Sequence, residues 1–507
     1  LNFQPYAINQ SQLIGTYAPE QILRGRVLEI LPDRTALVQL GAKKVVAKVA
    51  ALQPPLKIDQ DYLFQVEQSS NPLMVKVVGQ RSEQGKSTLS MVDDALSAFQ
   101  LKDEPVNRQL VQAFLDQGEP LTRSAVIAAR TLISGGQTDQ SSGIQAVKWM
   151  INRRLPITPA LFHIAEHLMK AEPLASQLNT LNRLLGQSHS STPATMALKE
   201  AISGLKDIKG EPPLAMAARL IGSEKSVELL KSFLQEQAPE IKPDPGELIK
   251  FVNGTMGEPD AATLLSKLHI GTKPEVFLSQ FQTFLVSQST DQPYGMILSG
   301  KSDLGLILNT LMDIGLNDEQ NLRNQLASGE TLKPTDSLKE KLLAVVEDPN
   351  ASAAIKKIAQ VAVGKITGEQ IQMASSDPVV AQFSLQIPIP FQQEIKNVSV
   401  YWEGKRTKRG KLDPDSCTIL LYLDLTNLKE TLVSIRVQNR SVALTIQNDS
   451  ARLVPLLKKG EPVLRDQLAA LNYRLASVSQ SERLDPQLVK KAQQPLNVSN
   501  YSLDVRI

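Results

Sequence analysis

The spacing of apolar residues changes period twice along this chain of 507 residues. From about residue 20 to Gly79 the runs "GRVLEI", "TALVQL", "KVVAKV", "DYLFQVE" and "LMVKVVG" are rich in β-branched residues. Side chains alternate across a strand, so such short runs give a sheet its buried face. The stretches between them, "LPDR", "GAK", "QPPLKIDQ" and "QSSNP", are turn chemistry. Five strands in about 55 residues predict a small β-barrel of the OB or SH3-like kind. Tyr62 and Phe64, two apart, share one face of their strand, which we assign to the core rather than to a base-stacking platform.

From about Ser87 to Ser375 the period becomes helical. "PVNRQLVQAFLDQG", "TRSAVIAARTLI", "TPALFHIAEHLMK", "EKSVELLKSFLQEQ", "KPEVFLSQFQTFLVSQ" and "SLKEKLLAVVED" place apolar residues three or four apart. The region from about 90 to 375 is therefore expected to be nearly free of strands. Low aromatic content, 4%, agrees with helices built on Leu, Ala and Ile. The prolines of "QAPEIKPDPGE" mark a subdomain linker, and "QTDQSSG" and "GQSHSSTPA" read as exposed loops.

Alternation returns near Pro378. "NVSVYWEG", "CTILLYLDL", "TLVSIRVQN" and "SVALTIQN" read as strands, with Ile419, Leu421, Leu423 and Leu425 on one face. "DSARLVPLLKKGEPVLRDQLAALN" reads as a helix capped by Asp449 or Ser450, interrupted near Pro455 and Gly460, with Asn472 in the left-handed position after it. Leu464 and Leu468 are expected to press on the sheet, with Arg465 pointing away. "YRLASVS" and the terminal "NYSLDVRI" complete the strands. The expected fold is multidomain: a barrel with an N-terminal extension (1–86), two helical regions (87–240 and 241–377), and an α+β domain (378–507) whose antiparallel sheet is covered by a helix.

A net charge of +3 supplies no global field for nucleic acid or acidic lipid. The single cysteine, Cys417, excludes an internal disulfide framework and a cysteine-based zinc site. The start "LNFQPYAINQSQ" lacks the charged and apolar regions of a secretory signal, and no run of about 18 apolar residues occurs. The expectation is a cytoplasmic protein.

The segment "LYLDLTNLKETLVSIRVQNRSVALTIQNDSARLVPLLKKGEPVLRDQLAALNYRLASVS" resembles the C-terminal domain of the flagellar hook-length control (FliK) family. Leu423, Leu428, Ala451, Arg452, Leu464, Arg465 and Leu468 fall at positions of the family's pattern, while Leu425, Lys429 and Asn472 stand where it has Pro, Gly and Gly. The front end, "GRVLEILPDRTALVQLGAKKVVAKV", is similar to that of large FliK-like proteins encoded beside flagellar export genes. The resemblance implies a non-enzymatic interaction protein associated with the type III export apparatus. Its implied partner is the cytoplasmic domain of the export gate protein FlhB, whose substrate class the family's C-terminal domain switches. It further implies possible passage through that apparatus as cargo.

Five of the seven residues from Lys405 to Lys411 are basic, at the turn of the "NVSVYWEG…CTILLYLDL" hairpin. An exposed turn hydrates such charges at little cost. The readings open are a solubilising loop, a contact with an acidic protein, and a nucleic-acid contact. The expected partner-binding residues are Lys405, Arg406, Lys408, Arg409, Leu428 and Arg465. Nucleic-acid binding through barrel and hairpin is the alternative function.

A zinc hydrolase is a further alternative, carried by "HIAEH". His163 and His167 stand four apart on a helix with Glu166 between them as a general base, and Glu236 or Glu240 as a third ligand. The competing reading is a half-exposed helix with His163, Glu166, His167 and Lys170 on its polar face. "GKSTLS" at Gly85 lacks the upstream glycine of a phosphate loop. No catalytic set, metal or cofactor is assigned.

Overall fold

The structure is a computed structural model that describes residues 17–31, 35–40, 43–50, 55–68, 73–80, 89–136, 139–170, 172–187, 191–206, 214, 217–218, 221, 223–237, 245–252, 256–288, 310–319, 322, 336–373, 380–391, 394–406 and 412–493. Two compact units form. Among the described residues, one gathers Leu174–Ile366 with Ile387–Val398; the other gathers those up to Pro173, Thr367–Gln386 and those from Ser399.

In the second unit, β1 (Ile22–Leu31), β2 (Thr35–Leu40), β3 (Lys43–Val49), β4 (Asp61–Gln68) and β5 (Leu73–Gln80) close a barrel in the order β1-β2-β3-β5-β4. β3 and β5 run parallel; the other pairs are antiparallel. Tyr62 and Phe64 lie inside with Val27, Val38 and Val66, as their spacing predicted. Gly25 is required there. A Cβ at that position would come 2.6 Å from Leu40 and 2.7 Å from Val38.

Asp61, almost fully buried, accepts from Arg24 at 2.9 Å and from Arg26 at 3.0 Å. Burial pushes its pKa up, but the hydrogen bonds and charges of the two arginines outweigh that and hold it below the usual 3.8. A carboxylate with a depressed folded pKa stabilises above its unfolded pKa, and loses that contribution as pH falls through the folded value. Asp61→Asn is therefore expected to narrow its stability gap to the parent below about pH 4. Urea midpoints measured across that range test this, and a gap independent of pH contradicts it.

Helices α1 (Leu89–Ala98), α2 (Pro105–Gln117), α3 (Arg123–Gly135), α4 (Gln140–Asn152) and α5 (Pro159–Met169) follow. Thr122, Asp139 and Thr158 cap α3, α4 and α5 by accepting from the backbone N–H of Ala125, Ser142 and Leu161. Gln140 to Gly143, expected in a loop, belong to α4, because Asp139 caps the helix there. Trp149, Phe162, Leu110 and Val126 form the core, to which Ile22 and Leu63 of the barrel also belong. Ile22 and Leu121 exchange backbone hydrogen bonds of 2.8 and 2.9 Å.

In the first unit, α6 (Leu174–Gln187), α7 (Pro193–Lys206), α8 (Ser223–Gln237), α9 (Pro245–Val252), α10 (Glu258–Lys267), α11 (Pro274–Gln288) and α12 (Leu338–Glu347) carry the helical period. Phe233 anchors one core here, with its ring centroid 5.4 Å from Phe277 and 5.5 Å from Phe281. A long helix, α13 (Ala353–Met373), closes the helical stretch. Among the described residues from 90 to 375 no strand occurs apart from the single bridge at Leu121.

The C-terminal sheet holds β6 (Val380–Phe391), β7 (Glu394–Arg406), β8 (Leu412–Leu425), β9 (Lys429–Gln438), β10 (Ser441–Gln447) and β11 (Arg474–Ser481), in the order β11-β10-β9-β8-β7-β6. The expectation of an antiparallel sheet needs correction: β10 and β11 are parallel. They are joined by α14 (Leu453–Ala469), and a helix linking two neighbouring strands returns the chain in the same direction. Helix α14 continues past Gly460 and holds Pro462 inside, so the expected interruption is absent. Its N-cap position is Arg452, which makes no side-chain cap bond, rather than Asp449 or Ser450. Asn472 has the left-handed φ of 61° expected of it.

A second helix, α15 (Pro486–Gln493), was not anticipated. It packs Leu488, Val489 and Ala492 against Tyr401, Leu420, Tyr422 and Leu432. Consecutive strand residues point to opposite faces, so α15 and α14 cover opposite sides of the sheet.

Candidate interaction face of the C-terminal sheet

Register across β8, β9 and β10 builds a lattice of apolar side chains on the α14 side. Cys417 faces Val437, which faces Val442; Ile419 faces Ile435, which faces Leu444; Leu421 faces Val433, which faces Ile446. The first row is buried, with Leu468 and Tyr473 packed against it. The other two rows are only half-buried. Helix α14 packs along β11, and Leu468 and Tyr473, at and just beyond its C-terminal end, are what reach the first row. Its sheet side carries Leu453, Leu457, Leu464 and Leu468, of which Leu453 alone is buried. Leu456 and Val463 point outward at 59% and 57% exposure. The result is an apolar strip over β8 and β9 beside an apolar helix flank, a surface of the kind that marks an interaction site.

The turn at one edge of this face is pinned from within. Asn448, 1% exposed, donates to Leu428 O at 2.7 Å, Glu430 O at 3.1 Å and Thr431 Oγ1 at 2.8 Å. Its own Oδ1 accepts from Ser450 N at 2.8 Å. On the opposite face Glu403 accepts from Tyr401 at 2.9 Å and from Lys491 of α15 at 2.5 Å. Burial of Glu403 works against ionisation, but the bonds from Lys491 and Tyr401 outweigh it, so its pKa is lowered.

Of the predicted partner residues, Leu428 and Arg465 have described side chains. Lys408 and Arg409 lie outside the described residues, and for Lys405 and Arg406 the strand backbone alone is described. Leu428 is half-buried in the β8–β9 turn, where its carbonyl is the acceptor for Asn448. Arg465 does not simply point away from the sheet. It pairs with Glu461 at 2.6 Å and donates to Leu475 O of β11 at 3.3 Å, so it also caps the edge strand. The terminal "NYSLDVRI" and the "GKST" of "GKSTLS" also lie outside the described residues.

The "HIAEH" helix departs from its expected polarity. Glu166 is 2% exposed and sits with Phe162 and Ala165 on the inner side, because it follows Phe162 by one helical turn. Its carboxylate lies 3.0 Å from His163 Nδ1, and a Cβ on Gly136 would come within 2.6 Å of it. Among the described residues no group of three or more His, Cys, Asp or Glu is placed to hold a metal ion. No described helix is long and apolar enough to cross a membrane.

The half-covered strip was missed from sequence because alternation marks a face as apolar without saying how much of it a following helix covers. The one available signal was the excess of outward apolar residues on α14, Val454, Leu456 and Val463, beyond those needed to face a sheet.

Over 550 aligned positions the chain is 22% identical to a Bacillus subtilis (strain 168) protein described as uncharacterized protein YlqG, covering 96% of this chain and 94% of that protein. No family model matches the chain, and no solved structure matches it.

Proposed function

We propose that this chain is a non-enzymatic interaction protein whose C-terminal α+β domain works with the flagellar type III export gate, as its resemblance to the FliK family implies. The observation that carries an interaction role is the apolar strip on β8 and β9, left half-covered beside an equally apolar flank of α14. On the other face α15 buries Leu420, Tyr422 and Leu432, whereas the apolar rows of this face stay half-buried. The named partner, the cytoplasmic domain of the gate protein FlhB, rests on the resemblance alone. The barrel's strand order, with β3 and β5 parallel, reads as the OB-type Greek key. Its aromatics Tyr62 and Phe64 are inside, which weakens the nucleic-acid alternative, because single strands bind by stacking on exposed rings.

The test is capture of the full-length chain by the immobilised gate domain from the same cells. Parent protein is expected to be retained, and Leu421→Asp, with a charge in the middle of the strip, is expected to be lost at unchanged secondary structure. No retention of the parent removes the export-gate reading.

A further inference from the structure

Helix α5 carries a pair of imidazoles with a carboxylate behind one of them. His163 and His167 stand four residues apart, so both leave the helix on one side, one turn apart. That spacing lets a helix offer two ring nitrogens to one metal ion. The His163 side chain is 52% exposed and His167 is half-buried, so the pair is open to solvent. Glu166 turns the other way. It is 2% exposed, and a Cβ on Gly136 would come 2.6 Å from its Oε1. Its Oε2 lies 3.0 Å from His163 Nδ1. A carboxylate only accepts, so Nδ1 holds the proton and the neutral ring keeps its lone pair on Nε2. Burial fixes the carboxylate, and the carboxylate fixes the ring. A carboxylate so placed orients a ligating histidine and raises its basicity.

We infer that His163 and His167 form a surface site for a divalent transition metal ion, with Glu166 as the positioning residue that holds His163 in the binding tautomer. Among the described residues no group of three such ligands forms, so water fills the remaining positions around the ion. Imidazole nitrogen suits Cu²⁺ and Zn²⁺, whereas Mg²⁺ takes oxygen ligands. Glu166, turned inward and bonded to Nδ1, is not the general base of the "HIAEH" pattern. The site binds a metal and hydrolyses nothing. Because the ion bridges one turn of α5, it stabilises the folded chain over the unfolded one.

The test is calorimetric titration of the tag-free, full-length chain with Cu²⁺, Zn²⁺ and Mg²⁺, with melting measured before and after. Cu²⁺ should saturate a site, Zn²⁺ should bind it more weakly, and Mg²⁺ should not bind. His163→Ala and His167→Ala should each weaken Cu²⁺ at least about tenfold, and the two together should abolish the site. Metal-free melting of His163→Ala should match the parent, since that ring is exposed. Glu166→Gln keeps the size of the side chain but can donate as well as accept, so it no longer fixes the tautomer. It should weaken Cu²⁺ by about tenfold in the parent and add nothing in His163→Ala, a coupling that general destabilisation would not produce. His269→Ala, at the other described histidine, should bind as the parent does. No saturable Cu²⁺ site in the parent, or parent affinity in His163→Ala with His167→Ala, overturns the inference. Equal losses from Glu166→Gln in the presence and absence of His163 overturn the role given to Glu166.

Discussion

Leu432→Ala is expected to destabilise the C-terminal sheet by about 2–5 kcal/mol, the cost of deleting a buried leucine and leaving a cavity. Leu432 is fully buried on the α15 side of β9, among Tyr401, Leu420, Tyr422 and Ala492. Two bulky tyrosines and a short helix limit how far that site can collapse. Leu464→Ala on the other face should cost much less, about 1 kcal/mol, because Leu464 is already half in water. Cys417, the chain's single cysteine, is buried in this domain and so reports its opening. Its rate of labelling by a thiol reagent should rise by about thirtyfold or more in Leu432→Ala, since each 1.4 kcal/mol is a factor of about ten in the open population. Equal rates in the two variants would place the domain's core under α14 instead.

Asn448→Ala should be nearly as severe, at about 2–4 kcal/mol, for a different reason. The amide is buried and holds one acceptor in the β8–β9 turn, Leu428 O, two at the start of β9, Glu430 O and Thr431 Oγ1, and one backbone donor. Removing it takes a partner from each of those groups, although Thr431 Oγ1 keeps its bond to Lys429 O, and an unmet buried polar group costs about 1–3 kcal/mol. Asn448→Asp should be no better, because a carboxylate cannot donate to Leu428 O and Glu430 O. Exchange of the amides around Leu428 measures the effect directly. Parent-like protection there in Asn448→Ala would show that water replaces the side chain.

Most of the fold was legible because alternation and helical spacing are strong signals over long stretches. The barrel strands, the helical middle and the strands from Asn397 to Ser479 all carried one or the other. Strand β6 was hidden by "QIPIPF", since proline argues against a strand; it is tolerated here because β6 is a sheet edge, where a missing N–H breaks no ladder. Helix α15 is eight residues long, too short for periodicity to separate it from a loop. The inward turn of Glu166 was illegible for a local reason: a carboxylate on an apolar stripe reads as polar surface until its partner, here His163, is placed beside it.

The candidate site was legible only by its ingredients. Ile419, Leu421, Val433 and Ile435 announced an apolar face, but how much of it α14 covers depends on where the helix lies, which no local pattern encodes. The basic stretch from Lys405 to Lys411 is conspicuous in sequence because it is charged. The strip on β8 and β9 and the stripe on α14 are composed of ordinary residues, and their meaning comes from register.

The most direct test of the β8–β9 face is amide exchange of the full-length chain with and without the export gate's cytoplasmic domain. The account predicts added protection in Thr418–Leu425, in Thr431–Ile435 and along α14 from Leu453 to Val463, with the barrel unchanged. Protection confined to the barrel or the helical regions, or none anywhere, would contradict it.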